Sequence, residues 1–150
     1  MDLELNARRL RVDALSLATR EDLEEAIAAF APLPPFSYLR EPESGIVMVR
    51  ARVGGTGKLF NLGEILISRC VVEARGKLGF GFAAEDDLKS AELAALLDCF
   101  GEIASLADKL EAVLRALKAK RERRLEAESR KIAKTQVEFF TLARGDDEPL

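Results

Sequence analysis

The sequence predicts an α+β fold with N-terminal helices and a small antiparallel β-meander. Two or three helices follow, with a long charged C-terminal helix and a terminal strand-like docking segment. Apolar residues recur at helical spacing towards both ends of the chain, two-residue alternation fills its middle, and turn glycines separate the alternating runs. The 150 residues are 48% hydrophobic and 33% charged, with a formal charge of −3. A domain of that size buries roughly 70% of the surface its unfolded chain exposes, so one domain over 1–150 can hold a core without metal or disulfide.

From Asn6 to Ala18, Leu10, Ala14, Leu15 and Leu17 recur among Arg8, Arg9, Arg11 and Asp13 as on a short amphipathic helix. Thr19 and Asp22 resemble a capping box, after which Leu23, Ala26, Ile27 and Phe30 trace one face of a second helix ending by Pro32. Pro34 and Pro35 remove donors and hold the chain extended, so Pro32 to Ser44 is expected to be a connector packed by Phe36, Tyr38 and Leu39. Ile46 to Val53 alternates as a half-buried strand, with Val47, Val49, Ala51 and Val53 on one side, and Gly54-Gly55-Thr56-Gly57 breaks it. Ile65 to Ala74 is the second strand, Gly76 marks a turn, and Lys77 to Ala84 is the third. In that third strand Leu78, Phe80 and Phe82 share a face, while Gly79 and Gly81 leave the other bare for a close neighbour. Short loops between the three favour an antiparallel meander.

Asp86 or Asp87 can cap a helix through Leu88, Leu93, Leu96 and Leu97 that ends near Phe100-Gly101. Ile103, Leu106, Ala107, Leu110, Val113, Leu114 and Leu117 then keep helical spacing. Beyond them, 118–134 holds eight basic residues (118, 120, 121, 123, 124, 130, 131, 134) against three acidic (122, 126, 128). Glu126/Arg130 and Arg124/Glu128 stand four apart, as on a solvated helical arm. Val137, Phe139, Phe140 and Leu142 follow with strand character, ahead of an acidic tail from Gly145 to Leu150. The stretch 118–150 is thus read as a partner-facing arm and tail, with Val137, Phe139 and Phe140 as its docking segment.

With no histidine, the chain supplies no Ser-His-Asp or Cys-His pair, His-ligated zinc or imidazole shuttle. No catalytic, cofactor or metal residue is assigned. Cys70 and Cys99 stand far apart in apolar stretches and read as reduced core thiols of a cytoplasmic protein. Neither an export signal nor a membrane span is read. The loop Gly54-Gly55-Thr56-Gly57-Lys58 fails as a phosphate loop because Arg52 and Leu59 occupy the positions of its first glycine and its hydroxyl residue. A tight hairpin or a backbone anion nest remains. Arg50, Arg52 and Arg69, with Gly54, Gly55 and Gly57, are the candidate anion or partner contacts, since strand arginines on one sheet face can converge as forked donors. Glu64, Glu92 and Asp98 have no spacing that demands acid/base work. Interleaved glutamates and the lack of aromatic residues in the basic arm argue against nucleic acid.

The run Pro42-Glu43-Ser44-Gly45-Ile46-Val47-Met48-Val49-Arg50-Ala51-Arg52-Val53-Gly54-Gly55-Thr56-Gly57, continued by Phe60-Asn61-Leu62-Gly63-Glu64 and Ser68-Arg69-Cys70, resembles the PhnG family. That family is the G subunit of the bacterial carbon–phosphorus lyase core complex. Ala91-Glu92-Leu93-Ala94-Ala95-Leu96-Leu97-Asp98 resembles its next helix, and Thr135-Gln136-Val137-Glu138-Phe139-Phe140-Thr141 with Arg144-Gly145-Asp146 its C-terminal signature. The resemblance implies a role in phosphonate catabolism. The G, H and I subunits, with an ATPase-like L protein, replace the adenine of ATP with a phosphonate (ribose 1-methylphosphonate 5-triphosphate synthase). A G subunit is implied to be structural or accessory, in a hetero-oligomer with the H, I and J subunits. ATP is then a substrate of the complex, while an iron–sulfur cluster and S-adenosylmethionine are expected only in a partner subunit. One stretch departs from the pattern: in place of Gly-Arg-Asp-Lys-x-His-Ala-Glu the chain reads Glu85-Asp86-Asp87-Leu88-Lys89-Ser90-Ala91-Glu92. Positive charge and an imidazole are lost at 85–90, so no phosphate or subunit contact carries over there. The rival readings are a stand-alone homo-oligomeric interaction or anion-binding module, and a small transferase whose glycine loop holds nucleotide phosphates.

Overall fold

The computed structural model describes residues 2–134. Their order is α1 (Asp2–Ser16), α2 (Arg20–Ala28), β1 (Ser37–Arg52), β2 (Leu59–Ala74), β3 (Lys77–Ala84), α3 (Leu88–Glu102) and α4 (Ala104–Lys134). The strands form an antiparallel sheet in the order β1-β2-β3, which is the expected α+β meander.

Helix starts follow the sequence signals. The Thr19 hydroxyl accepts from the Asp22 amide at 3.3 Å, and the Asp87 carboxylate accepts from the Ser90 amide at 3.0 Å, so each caps a first turn. The first helix runs Asp2–Ser16, earlier in the chain than the expected Asn6 to Ala18, and two strand starts differ from expectation. β1 begins at Ser37, inside the stretch expected to be a connector, because the extended conformation set by the prolines is carried directly into sheet pairing. Its register slips twice, between Tyr38 and Arg40 and between Arg40 and Glu43; Pro42 is tolerated because β1 is an edge strand. β2 begins at Leu59 rather than Ile65. A register shift between Val49 and Arg50 leaves Leu62 as an extra residue on β2, and that bulge breaks the alternation by which a strand is recognised.

The core lies between the sheet and α3. Gly79, Gly81 and Ala83 of β3 join Ser68, Cys70, Val72 and Ala74 of β2 on one buried face. A Cβ at Gly79 would stand 2.0 Å from the Ala95 carbonyl oxygen, and one at Gly81 1.9 Å from that of Ala91, so the bare glycine face is where α3 touches backbone to backbone. α3 is in turn buried on most sides, with ten residues inside, among them Leu93, Leu97 and Phe100. α1, α2 and α4 pack around it, and the Phe30 ring meets Phe100 at 5.1 Å between centroids.

One charged side chain of this helix is fully buried. Asp98, with none of its side chain exposed, accepts from Arg8 Nη2 (2.8 Å), Arg11 Nε (2.8 Å) and the Phe80 amide (3.0 Å). Arg11 also pairs with Glu102, and Arg8 lies 5.0 Å over the Phe80 ring. α4 returns along the helix layer until Lys120 meets Glu25 and Arg124 meets Asp22 at the start of α2. Past Arg124 the side chains are exposed to residue 132.

Two substitutions test this packing. Gly81→Ala forces its new methyl into the α3 backbone and is expected to lower unfolding free energy by about 3 kcal/mol, the upper range for overpacking. Asp98→Ala strands two guanidinium groups and an amide, with an expected loss of about 3–5 kcal/mol. Urea unfolding reads both, and a Gly81→Ala protein as stable as the parent would refute the close contact.

Candidate functional site

Beyond the end of β3, β1 and β2 continue as a two-stranded arm. Ala84 pairs with Ile67, and the Glu85 amide donates to the Leu66 carbonyl at 3.0 Å. From Ile65 back to Leu59, β2 pairs with β1 alone among the described residues. The helix layer does not reach this far, so apolar side chains on both faces meet solvent. Ile46 is 68% exposed and Leu62 63%, and Met48, Leu59, Phe60, Ile65 and Leu66 are exposed as well. Exposed apolar residues grouped in this way make the arm a candidate interaction surface.

Register decides where the candidate arginines point. Residues directly opposite in an antiparallel pair share a face. Ser44 is opposite Ser68, which is opposite Ala83 on the face that α3 covers. Alternation then carries Ile46, Met48, Arg50 and Arg52 along that face to the tip of the arm. Arg69, opposite Glu43 and Phe82, lies on the other face. The three arginines therefore do not converge on one anion. Arg69 Nε donates to Glu43 at 2.8 Å, and hydrogen bonds from Arg40 and Arg69 hold the Glu43 carboxyl below its usual range. Arg50 and Lys58 make no hydrogen bond or ion pair among the described residues, and Arg52 Nη1 donates only to the Gly57 carbonyl, at 3.1 Å.

The glycine loop is the tight hairpin connection. Val53–Gly55 form a short 3-10 turn with Gly54 and Gly55 at φ 58° and 82°, and the Gly57 amide closes on the Val53 carbonyl at 2.8 Å. A strand follows it, not the helix a phosphate loop needs. Val137, Phe139 and Phe140 lie outside the described residues.

The carboxylates are placed apart. Glu64 stands exposed on the arm, and Asp98 is held in the core by Arg8 and Arg11. Glu92 accepts from the Tyr38 hydroxyl and from Lys89 Nζ. Burial opposes its ionisation, but those two hydrogen bonds outweigh it and hold the carboxyl below the usual range. The same bond to Glu92, with burial and the carboxylate charge adding, pushes the Tyr38 phenol up to about 12. Burial pushes the Cys70 thiol up to about 11 and raises that of Cys99. Both cysteines are free, buried and disfavoured as thiolates. Among the described residues no group of three or more acidic or thiol side chains is placed to hold a metal ion, and no helix is long and apolar enough to cross a membrane.

The open β2 edge was missed in the sequence, since nothing in 59–66 tells where β3 stops. The Asp98 network had a signal that went unused: a carboxylate inside Leu96-Leu97-Asp98-Cys99-Phe100 must find cations when buried.

Residues 6–145 match the model of a family described as phosphonate metabolism protein PhnG. The chain is also similar to a protein of Rhizobium meliloti (strain 1021) named alpha-D-ribose 1-methylphosphonate 5-triphosphate synthase subunit PhnG. The two are 37% identical over 151 residues, covering 97% of this chain and 94% of that relative.

Tyr38 is the one tyrosine in a chain without tryptophan, so its phenolate absorbance is read without interference. Its titration is expected near 12 in the folded protein and to fall back towards 10 in Glu92→Gln. A proton held more tightly in the folded state stabilises it below the ordinary phenol value of 10.0, and that contribution is lost as pH rises towards 12. A midpoint at the ordinary value in the folded parent would show that the Tyr38–Glu92 bond is absent in solution.

Proposed function

The chain belongs to the PhnG family of phosphonate metabolism proteins, and from that premise we propose that it serves as a non-catalytic subunit of a multi-subunit ribose 1-methylphosphonate 5-triphosphate synthase. In that reaction the C–N bond between ribose C1 and the adenine of ATP breaks, a bond from C1 to a phosphonate oxygen forms, and adenine leaves. The observation that carries the reading is similarity to a subunit of this synthase along 97% of the chain. The side chains support it. There is no histidine, Asp98 and Glu92 are committed to partners within the fold, and the thiols are buried. What the molecule offers outward is the apolar arm, which suits assembly better than chemistry. The partners proposed are the H, I and J subunits, in the cytoplasm.

Co-expression with the H, I and J subunits of the same genome, followed by native mass spectrometry, tests the reading. The expected outcome is a complex containing this chain. Adenine release from ATP and methylphosphonate, with the L protein added, is expected to fall to background when the chain is omitted. The isolated chain is expected to bind no ATP. A chain that ignores all three subunits, or saturable ATP binding lost in Arg52→Ala, would overturn the proposal in favour of a separate module or a small transferase.

A further inference from the structure

Two parts of the chain project past the same end of the molecule. α4 starts beside the β2–β3 turn, where Arg75 Nη1 donates to the Ser105 hydroxyl at 3.4 Å. It reaches the root of the arm at Arg124, which donates to the Thr19 hydroxyl at 3.3 Å. Arg20, next to Thr19, pairs with Asp87, and neighbouring Asp86 accepts from the Ser44 hydroxyl of β1. Beyond that level α4 runs on from Arg124 to Lys134, about 15 Å at helical rise. The arm runs on from Leu66 to Leu59, about 23 Å at strand rise.

Between Ile65 and Leu59 the β2 edge is open. Ala84 and Glu85 fill it as far as Ile67 and Leu66, after which the chain leaves the edge for α3. The Leu66 carbonyl already accepts from Glu85, and backbone groups alternate in direction along a strand. Glu64 therefore turns its donor and acceptor the same way, with no partner strand among the described residues. No proline interrupts 59–65, and Leu59, Phe60, Leu62 and Ile65 are exposed there. The outer edge of β1 carries Pro42 and two register shifts instead, which blunt it against pairing.

We propose that the tail beyond α4, residues 135–150, which lies outside the described residues, is the strand that covers this edge in the same chain. Position, reach and charge order select it. α4 packs on α1 and α3, both of which lie over β3, and the open edge continues the line of β3, so the tail leaves α4 on the side of this edge. Packed layers of about 10 Å each separate α4 from the arm by at most about 20 Å. Six extended residues span about 20 Å, which carries the chain from Lys134 to Phe140 across to the middle of the arm. Adjacent Phe139 and Phe140 point to opposite faces of a strand, and the arm exposes apolar side chains on both, Leu59 on one and Phe60 and Ile65 on the other. Charge sets the direction. Asp146, Asp147 and Glu148 follow the apolar residues of the tail. The tip of the arm carries Arg50, Arg52 and Lys58, none in an ion pair among the described residues, whereas the root carries Glu64, Glu85 and Asp86. The tail therefore runs outwards, antiparallel to β2, with its phenylalanines against Leu62 and Phe60 and its carboxylates at the tip.

The test uses the full chain without other subunits, so this proposal and the subunit reading can fail separately. Hydrogen exchange is expected to find the 59–64 amides protected, and equally so at every protein concentration. Phe139→Ser with Phe140→Ser is expected to speed exchange there about tenfold, as loss of buried aromatic area does, while amides of β3 and α3 keep their rates. Arg50→Glu with Lys58→Glu is expected to speed it about threefold, as loss of exposed ion pairs does. Asp146→Lys with Asp147→Lys, added to that variant, restores the pairs with their signs exchanged and is expected to recover most of the protection. Unprotected 59–64 amides in the parent, protection that the phenylalanine substitutions leave unchanged, protection that rises with concentration and so comes from a second copy, or protection that appears only when another synthase subunit is added would each overturn the proposal.

Discussion

The fold depends on one buried carboxylate. A charge taken out of water costs several kcal/mol unless its lone pairs are filled, and Asp98 fills them with groups from two other elements. Arg8 and Arg11 come from α1 and the Phe80 amide from β3. α1 is thereby fixed across the end of the sheet. The guanidinium of Arg11 passes so close to Gly101 that a Cβ there would stand 2.6 Å from Nη1, and a side chain at that position would require the guanidinium to shift. Burial alone would lower the Arg11 pKa, yet its hydrogen bonds to Asp98 and Glu102 more than reverse that, and the value is raised.

This interaction has a second consequence, at the sheet edge. The outer side of β3 would otherwise present free backbone donors beside three exposed-to-half-buried side chains, Leu78, Phe80 and Phe82. Asp98 takes the Phe80 amide, Arg8 donates to the Leu78 carbonyl at 2.7 Å, and the same guanidinium covers the Phe80 ring. A strand edge blocked by charge does not recruit another strand. The contact of α3 with the glycine face acts in the same direction, since it holds β3 on the helix layer along its whole length. Pairing capacity is thus removed from β3 and left on the part of β2 that β3 does not reach.

Much of this was legible in residues, and the remainder was not for definite reasons. Thr19 and Asp87 announced their helices because capping is local chemistry. Gly79 and Gly81 announced a close approach because a missing side chain can be seen in a sequence, and the approach turned out to be α3. The start of β2 was not legible, since the bulge at Leu62 interrupts alternation and the surrounding residues have no core to alternate against. Nor could the candidate arginines be assigned to faces. Arg50, Arg52 and Arg69 look equivalent in one dimension, but only the register, Ser44 against Ser68 and Glu43 against Arg69, shows that the last points away from the other two. Side-chain direction on a strand is periodic, and its phase comes from the partner strand.

The division of labour within the chain follows from where burial ends. α3 and the inner halves of the strands use small residues and one satisfied charge to make a closed unit. The arm uses large apolar residues and cations, Arg50, Arg52 and Lys58, that form no ion pair among the described residues. Exposed apolar side chains on an isolated two-stranded ribbon contribute little to folding, because a two-stranded hairpin is marginal in water, and their hydration is relieved only when a second surface covers them. Neither the bulge at Leu62 nor the glycine turn at Gly54 and Gly55 improves the core, which does not extend so far. They set the length, register and facing of an edge.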